Sequence, residues 1–283
     1  MTHRESAMVP IEYLLKFIDE DAPFGDVTSE AVIPEVSCRA VIRAEQDGVV
    51  AGLEETAALF SHFGVETRRE VRDGDRVSRG GIILSFSGEA KKILLVERTA
   101  LNLIGRMSGI ATQTRAMNDI IRAENPDCRV AGTRKTCPGL RALDKKSVAL
   151  GGGDPHRSSL SDGILLKDNH LALVSIEDAV KKARAASAYR KIEVEVETCA
   201  DALTAARAGA DILLLDNMTP EGAKETIYSL VQAGLRDRVT VEISGGITPD
   251  TSRGYARSGA DLISMGALTH TVRNFSVTLE ILT

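Results

Sequence analysis

The sequence predicts an α/β protein in two parts, an α/β domain of about 110 residues followed by a parallel β/α barrel short of eight strands. Three observations carry this. From about residue 126 onward, strand-like and helix-like segments alternate through six units with short connections, which implies parallel strands joined by right-handed crossovers. Before that point the pattern differs, with strand-like runs separated by Gly/Asp turns. No low-complexity linker separates the two parts, so they are expected to be tightly joined.

In the first part, CRAVIRAEQDGVVAG, VETRREV and GGIILSFSG read as strands, with DGD at 73–75 as a turn. EETAALFSHFG is a helix between them. A long helical stretch runs from Glu89 to Glu124 and is expected to break near Gly105 to Gly109. In the second part, CRVAGT (128–133) is a short strand and LRALDKKSVAL (140–150) the first barrel helix. GILLK (163–167) follows as a strand. SIEDAVKKARAAS (175–187) is an amphipathic helix opened by Ser175 and Asp178 in a capping-box-like pattern. Next come the strand KIEVEVE (191–197), the helix CADALTAARAG, the strand DILLLDN (211–217), and a helix with Pro220 in its first turn. The strand VTVEIS (239–244), the helix PDTSRGYARSG and the strand DLISMG (261–266) complete the series.

Composition narrows the function. The 283 residues carry a formal net charge of −5, which argues against indiscriminate binding to nucleic acid or acidic membranes. No apolar run approaches the roughly 18–20 residues that span a bilayer. The N-terminus MTHRESAMVPIEYLL carries Glu5 early and lacks the apolar core of a secretory signal. Cys38, Cys128, Cys137 and Cys199 are scattered without metal-like spacing, as expected for reduced thiols in a cytoplasmic protein.

Ligands of β/α barrels sit at the carboxyl ends of the strands, and those ends are unusually polar here. The first runs into Thr133-Arg134-Lys135-Thr136 and the second into Lys167-Asp168-Asn169-His170. The third carries Glu193, Glu195 and Glu197 on one face, because side chains alternate along a strand. The fourth ends in Asp216-Asn217, the fifth in Glu242-Ile243-Ser244-Gly245-Gly246 and the sixth in Gly266-Ala267-Leu268-Thr269-His270. With the valines of EVEVE turned to the outer helices, the glutamates face inward and need cations. Arg134, Lys135 and Lys167 supply them. Glycine-rich turns at SGGI and GALTH, on the last strands, point to a phosphate site built from backbone N–H groups. The loop GGGDPHR (151–157) is then free for another use: His156 and Arg157 presented to a small anion, with the glycines giving room.

These residues resemble those of quinolinate phosphoribosyltransferase, the carboxylating nicotinate-nucleotide pyrophosphorylase. The resemblance rests on ERTALNLIGRMSGIAT (97–112), GTRKTCPGLRALDKKSVALGGGDPHR (132–157), LLKDNH (165–170), VEVE (194–197), LLLDNM (213–218), EISGGI (242–247) and SMGALTH (264–270). FGDVTSEAVIP (24–34) extends it nearly to the N-terminus. It implies an N-terminal α/β sandwich domain over residues 1–110, an incomplete seven-stranded β/α barrel over 111–270, and a tail, 271–283, that returns to the first domain. It also implies transfer of phosphoribosyl from phosphoribosyl pyrophosphate (PRPP) to quinolinate with Mg²⁺, giving nicotinate mononucleotide, pyrophosphate and CO2 for de novo NAD synthesis.

Carried over motif by motif, Arg134, His156, Arg157 and Lys167 are expected to bind the two quinolinate carboxylates. Arg98 resembles the arginine that reaches this pocket from the partner subunit of a homodimer or higher oligomer. Lys135 is expected to face PRPP and its pyrophosphate, and Glu195 and Asp216 the ribose hydroxyls and the metal. Ser244, Gly245, Gly246, Gly266 and His270 match the 5′-phosphate site. Cys137 has no expected role, since no enzyme nucleophile is needed. Two departures stand out: Asp154-Pro155 where many members carry an Asn before the His-Arg pair, and Lys146-Ser147 where an aromatic followed by Ala is expected. Rival assignments are a nicotinate phosphoribosyltransferase, a molybdenum-transport-associated relative of the same fold, and a non-catalytic binding module. A Schiff-base aldolase using Lys135 or Lys167 is a fourth.

Overall fold

The computed structural model describes residues 9–282. Residues 1–8, including the Glu5 on which the expected lack of a secretory signal rests, lie outside the described residues. In chain order the elements are α1 (Ile11–Asp21), α2 (Val27–Val32), β1 (Ser37–Ala44), β2 (Gly48–Val49), α3 (Leu53–His62), β3 (Glu66–Arg69), β4 (Arg76–Val77) and β5 (Ile82–Glu89). They continue with α4 (Ala90–Glu124), β6 (Arg129–Ala131), α5 (Arg141–Leu150), β7 (Ile164–Leu166), α6 (Asp168–Leu171), α7 (Ile176–Ala186), β8 (Ile192–Val196) and α8 (Cys199–Ala208). The last are β9 (Ile212–Asp216), α9 (Pro220–Gln232), β10 (Thr240–Ser244), α10 (Pro249–Ala256), β11 (Leu262–Ser264), α11 (Ala267–His270) and β12 (Val277–Leu282). They divide into one unit of residues 1–115, 138–152 and 271–283 and another of 116–137 and 153–270.

The first unit is built on an antiparallel sheet in the order β12-β1-β5-β3, with β2 and β4 paired separately. The tail strand β12 pairs with β1 from Arg39↔Leu282 to Ala44↔Val277. A core of Leu14, Ile42, Phe60, Phe86, Ile104, Met107 and Phe275 fills the space between sheet and helices. Helix α5, expected as the first barrel helix, belongs to this unit, with Leu143 in its core.

Helix α4 is continuous, where the sequence led to a break near Gly105 to Gly109. Both glycines serve a close approach instead. A Cβ on Gly109 would stand 2.2 Å from the Arg273 carbonyl oxygen, and one on Gly105 would stand 3.2 Å from that of Phe275. The Phe275 N–H donates to the Gly105 carbonyl at 2.8 Å. Tertiary contact with the tail therefore offsets the cost of glycine in a helix.

Lys146-Ser147 also finds its explanation in this unit. Lys146 Nζ lies 2.7 Å from Glu54 Oε2 and 2.7 Å from Glu55 Oε1, and both Lys146 and Glu55 are buried. Burial alone would lower the Lys146 pKa, but the hydrogen bonds it donates to the two glutamates outweigh it and raise it. Ser147 Oγ donates to the Leu143 carbonyl at 2.7 Å. An internal ion pair occupies the place where an aromatic side chain was expected.

The second unit is a parallel sheet in the order β6-β11-β10-β9-β8-β7. Strands β7 to β11 lie in sequence, and the first strand, β6, joins the last rather than the second. That order is the wrap of a barrel, open between β6 and β7. Six strands are hydrogen-bonded in the sheet, against the seven implied by the resemblance. On the free edge of β6 a single parallel bridge, Ala131↔Asp154, marks the seventh position. Its bonds run from Asp154 N to the Val130 carbonyl (2.8 Å) and from Gly132 N to the Asp154 carbonyl (2.9 Å). At the amino ends, Asp211 Oδ2 accepts the Ile192 N–H and Asp261 Oδ2 the Val241 N–H, each at 2.7 Å, pinning neighbouring strands. Side chains of Ser175, Thr198, Thr219 and Thr248 cap α7 to α10. Among the described residues no helix is long and apolar enough to cross a membrane.

Two stability outcomes follow from these contacts. Gly109→Ala should destabilise the protein by about 1–3 kcal/mol through overpacking, read as a lowered thermal midpoint, with Gly105→Ala costing less. Lys146→Ala should cost about 3–5 kcal/mol in denaturant unfolding, because Glu55 is left buried without its cation. Adding Glu55→Gln should recover part of that loss.

Candidate active site

The carboxyl ends of the second unit's strands surround a cleft of about 330 Å³. Alternation along each strand decides what faces it. Glu193 and Glu195 of β8, Leu214 and Asp216 of β9, and Glu242 and Ser244 of β10 point inward, with Lys167 just beyond β7. The intervening Val194, Val196, Leu213, Leu215, Val241 and Ile243 are buried in the apolar core on the other side. Loops add Arg134 and Lys135 after β6, and His156 and Arg157 before β7. Eight residues expected from the sequence thus meet in one cleft: Arg134, Lys135, His156, Arg157, Lys167, Glu195, Asp216 and Ser244.

The glycine-rich residues stand at adjacent strand ends. Gly245 has φ 104, and a Cβ there would fall 2.3 Å from Asn217 Oδ1, so only glycine fits. Gly246 has φ 57, and nothing lies within 4 Å of where a Cβ would sit, leaving space for a ligand. A Cβ on Gly266 would lie 3.0 Å from the His270 ring and from Lys135 Cδ. Thr269 Oγ1 donates to the Lys135 carbonyl at 2.9 Å, tying the β6 loop to the turn after β11. Arg98 is an exposed residue of α4 in the first unit and is not among the residues lining this cleft. Gly151, the first of the three consecutive glycines, gives no room to a ligand: its Cβ would meet the Ala111 carbonyl at 2.6 Å.

Charges of both signs are interleaved. Lys167 Nζ is ion-paired with Glu195, and its backbone N–H donates to His170 Nδ1 at 3.0 Å, which fixes the start of α6. His156 Nε2 lies 3.0 Å from Glu242 Oε2 and 3.8 Å from Glu193 Oε2. Asp154, the acid beside the expected anion pocket, directs Oδ1 to the His156 N–H at 2.7 Å. It shapes the loop.

Burial, and then the charge of Glu242, push the Glu193 carboxyl from its ordinary 4.5 up to about 7. Burial and the neighbouring Glu195 raise Asp216. Burial also lowers the Arg157 pKa, with the like charge of Arg134 acting the same way against the pull of Glu193. Arg134 Nε and Glu193 Oε1 are buried with no hydrogen-bond partner.

Glu242 was missed as a site residue, and Glu193 was read only as one of three inward glutamates. The signal for both is in the alternation of IEVEV and TVEIS, which puts them one level below Glu195 and Ser244 on the inward face. Ligand atoms of His156, Glu193 and Glu242 lie within 4.8 Å of one another. Arg157 and Arg134 beside them disfavour a metal ion there. The donors that suit Mg²⁺ are Glu195 and Asp216, hard oxygen ligands on adjacent strands.

Residues 110–280 match the family model of quinolinate phosphoribosyl transferase, C-terminal domain, and residues 26–108 that of its N-terminal domain. The chain belongs to the quinolinate phosphoribosyltransferase family. It is 46% identical over 274 residues to a probable nicotinate-nucleotide pyrophosphorylase [carboxylating] of Methanothermobacter thermautotrophicus, covering 96% of this chain and 98% of that one. It is 37% identical to the nicotinate-nucleotide pyrophosphorylase [carboxylating] of Mycobacterium leprae, covering 93% and 94%. The crystal structure of nicotinate-nucleotide pyrophosphorylase from Ehrlichia chaffeensis superposes with a TM-score of 0.91 at 30% identity, covering 97% and 99%. Human nicotinic acid phosphoribosyltransferase, 13% identical with a TM-score of 0.62, shares the fold alone.

The raised Glu193 pKa sets a pH dependence for this family member. Between pH 4.5 and about 7 the folded chain keeps a proton that the unfolded chain releases, so stability should fall as pH rises across that window. Thermal midpoints measured from about pH 5 to about pH 8 should show this fall, and Glu193→Gln should flatten it.

Proposed function

We propose that this protein transfers phosphoribosyl from PRPP to quinolinate with decarboxylation, forming nicotinate mononucleotide, pyrophosphate and CO2. The observation that carries this is the cationic wall of the cleft. Arg134 has an unpartnered buried Nε, and Arg157 stands near it with its pKa lowered by burial and by that like charge. Two guanidinium groups beside His156 and Lys167 suit a rigid dicarboxylate better than a monocarboxylate. This, with the family membership, favours quinolinate over nicotinate.

In this reading Arg134, Arg157, His156 and Lys167 hold the two carboxylates and aim the pyridine nitrogen at ribose C1. Lys135 faces the pyrophosphate, and Ser244, Gly245, Gly246, Gly266 and His270 hold the 5′-phosphate. As the C1–pyrophosphate bond breaks, positive charge develops on the ribose, and the carboxylates of Glu195 and Asp216 stabilise it. Mg²⁺ held by Glu195 and Asp216 would neutralise the departing pyrophosphate. The ring nitrogen becomes cationic on bonding to C1, and loss of the 2-carboxylate as CO2 leaves an electron pair beside that cation. A proton from solvent then replaces the carboxylate. The cationic wall stabilises the anionic carbon.

The same proposal places the protein in the cytoplasm as a homodimer or higher oligomer, with Arg98 completing the partner's site. The four free cysteines and the lack of a membrane-crossing helix among the described residues support the first point. A Schiff-base aldolase using Lys135 or Lys167 is disfavoured by the family membership.

Carboxyl-labelled quinolinate should release CO2 and yield nicotinate mononucleotide only with PRPP and Mg²⁺ present, and borohydride should trap no adduct. Arg134→Ala should lower kcat/KM for quinolinate by about 10²-fold or more, the cost of losing one partner of a buried ionic contact. Near-normal turnover in that variant would overturn the assignment. Mixing inactive Arg98→Ala and Arg134→Ala proteins should restore up to about a quarter of wild-type activity, since half the dimers are then mixed and each carries one intact site. No recovery after subunit exchange would remove Arg98 from the partner's site.

A further inference from the structure

His156 is held unusually firmly for a loop residue. Its backbone is in the left-handed region, at φ 56, a conformation uncommon outside glycine that histidine, like asparagine and aspartate, adopts more often than other side chains. Its N–H is bound by Asp154 Oδ1 at 2.7 Å, and Asp154 is itself bonded through its backbone to β6. Its Nε2 lies 3.0 Å from Glu242 Oε2, in a carboxylate only 2% exposed. Glu242 sits mid-strand on β10, fixed by pairing to Leu262 of β11 and Leu214 of β9. A loop bound at its backbone by Asp154 and anchored at its ring to a buried acid is over-determined, as expected where the position of one ring matters.

We propose that Glu242 is a positioning residue for quinolinate binding, acting through His156. A carboxylate only accepts hydrogen bonds, so it commits the imidazole proton to Nε2 and fixes the ring plane. Glu193, with Oε2 3.8 Å from the same nitrogen, backs the arrangement from the other side. The burial of Glu242 in a cleft that binds an anion thereby acquires a purpose: it holds the imidazole in place. This rests on the proposed quinolinate site, and it adds to that site a residue that the EISGGI resemblance left without a role.

Glu242→Gln keeps the shape and removes the charge. In that variant the quinolinate KM should rise about tenfold, as for other supporting hydrogen-bond partners, with the PRPP KM within about twofold. In the double variant Glu242→Gln/His156→Gln the loss should be no greater than in His156→Gln alone, because Glu242 acts only through the ring. The ¹⁵N imidazole signals of His156 in the full ligand-free protein, assigned by their loss in His156→Gln, should show Nε2 protonated in the wild type and a shifted pattern in Glu242→Gln. Unchanged quinolinate KM, additive losses in the double variant, or unchanged His156 signals would each overturn the inference. If Glu242→Gln does not fold, Glu242→Asp serves: its shorter arm retracts the carboxylate from Nε2 and should change KM and signals in the same direction. A wild type inactive on quinolinate would sink the proposed function, whereas the His156 signals would still decide separately whether Glu242 holds the ring.

Discussion

The strict alternation of side chains along five-residue parallel strands is the constraint on which the rest depends. One residue in two must satisfy the apolar core and the other must face the cleft, so a strand such as IEVEV has no freedom to place its charges elsewhere. Charges delivered inward by several neighbouring strands have to be balanced locally, because burial makes an unpaired charge costly. The ion pair of Lys167 with Glu195 and the contact of His156 with Glu242 are two solutions to that requirement. What the strands cannot balance, the unpartnered Arg134 Nε among it, is left for the ligand.

The loops refine what the strands impose. Asp154 bridges to Ala131 on the free edge of β6 and turns its side chain back to the chain. One acid thereby occupies the seventh strand position, spares the pocket a negative charge and sets the conformation of His156. Gly245 allows the β10 turn to pass against Asn217, and Gly246 leaves open space beside it. The first unit shows the same economy, with Gly105 and Gly109 accommodating residues 273–275 and Lys146 joining Glu54 and Glu55.

Much of this was legible in the sequence, and the misses share a cause. The order of strands and helices from β6 to β11 follows from local periodicity and turn chemistry. The polar strand ends follow from position within a β/α series. The break expected in α4 was wrong because glycine's local helix penalty was offset by a contact with residues 273–275, a separation no window of sequence spans. Helix α5 has the periodicity of a barrel helix, yet its apolar face is buried in the other unit's core. Glu242 looked like an ordinary residue of a strand end because nothing near it in sequence reveals which side chain it meets.

By itself the sequence determined the fold class, the family and the inventory of chemistry-bearing residues, since each depends on short-range patterns and on motifs contiguous along the chain. Tertiary structure alone decided which charges pair. It turned Asp154 to the backbone, set Glu242 against His156 and left Arg134 Nε unpartnered. The physical reason is that ion pairing and desolvation depend on distances across strands and loops, and these exist only once the sheet has wrapped and the water is gone.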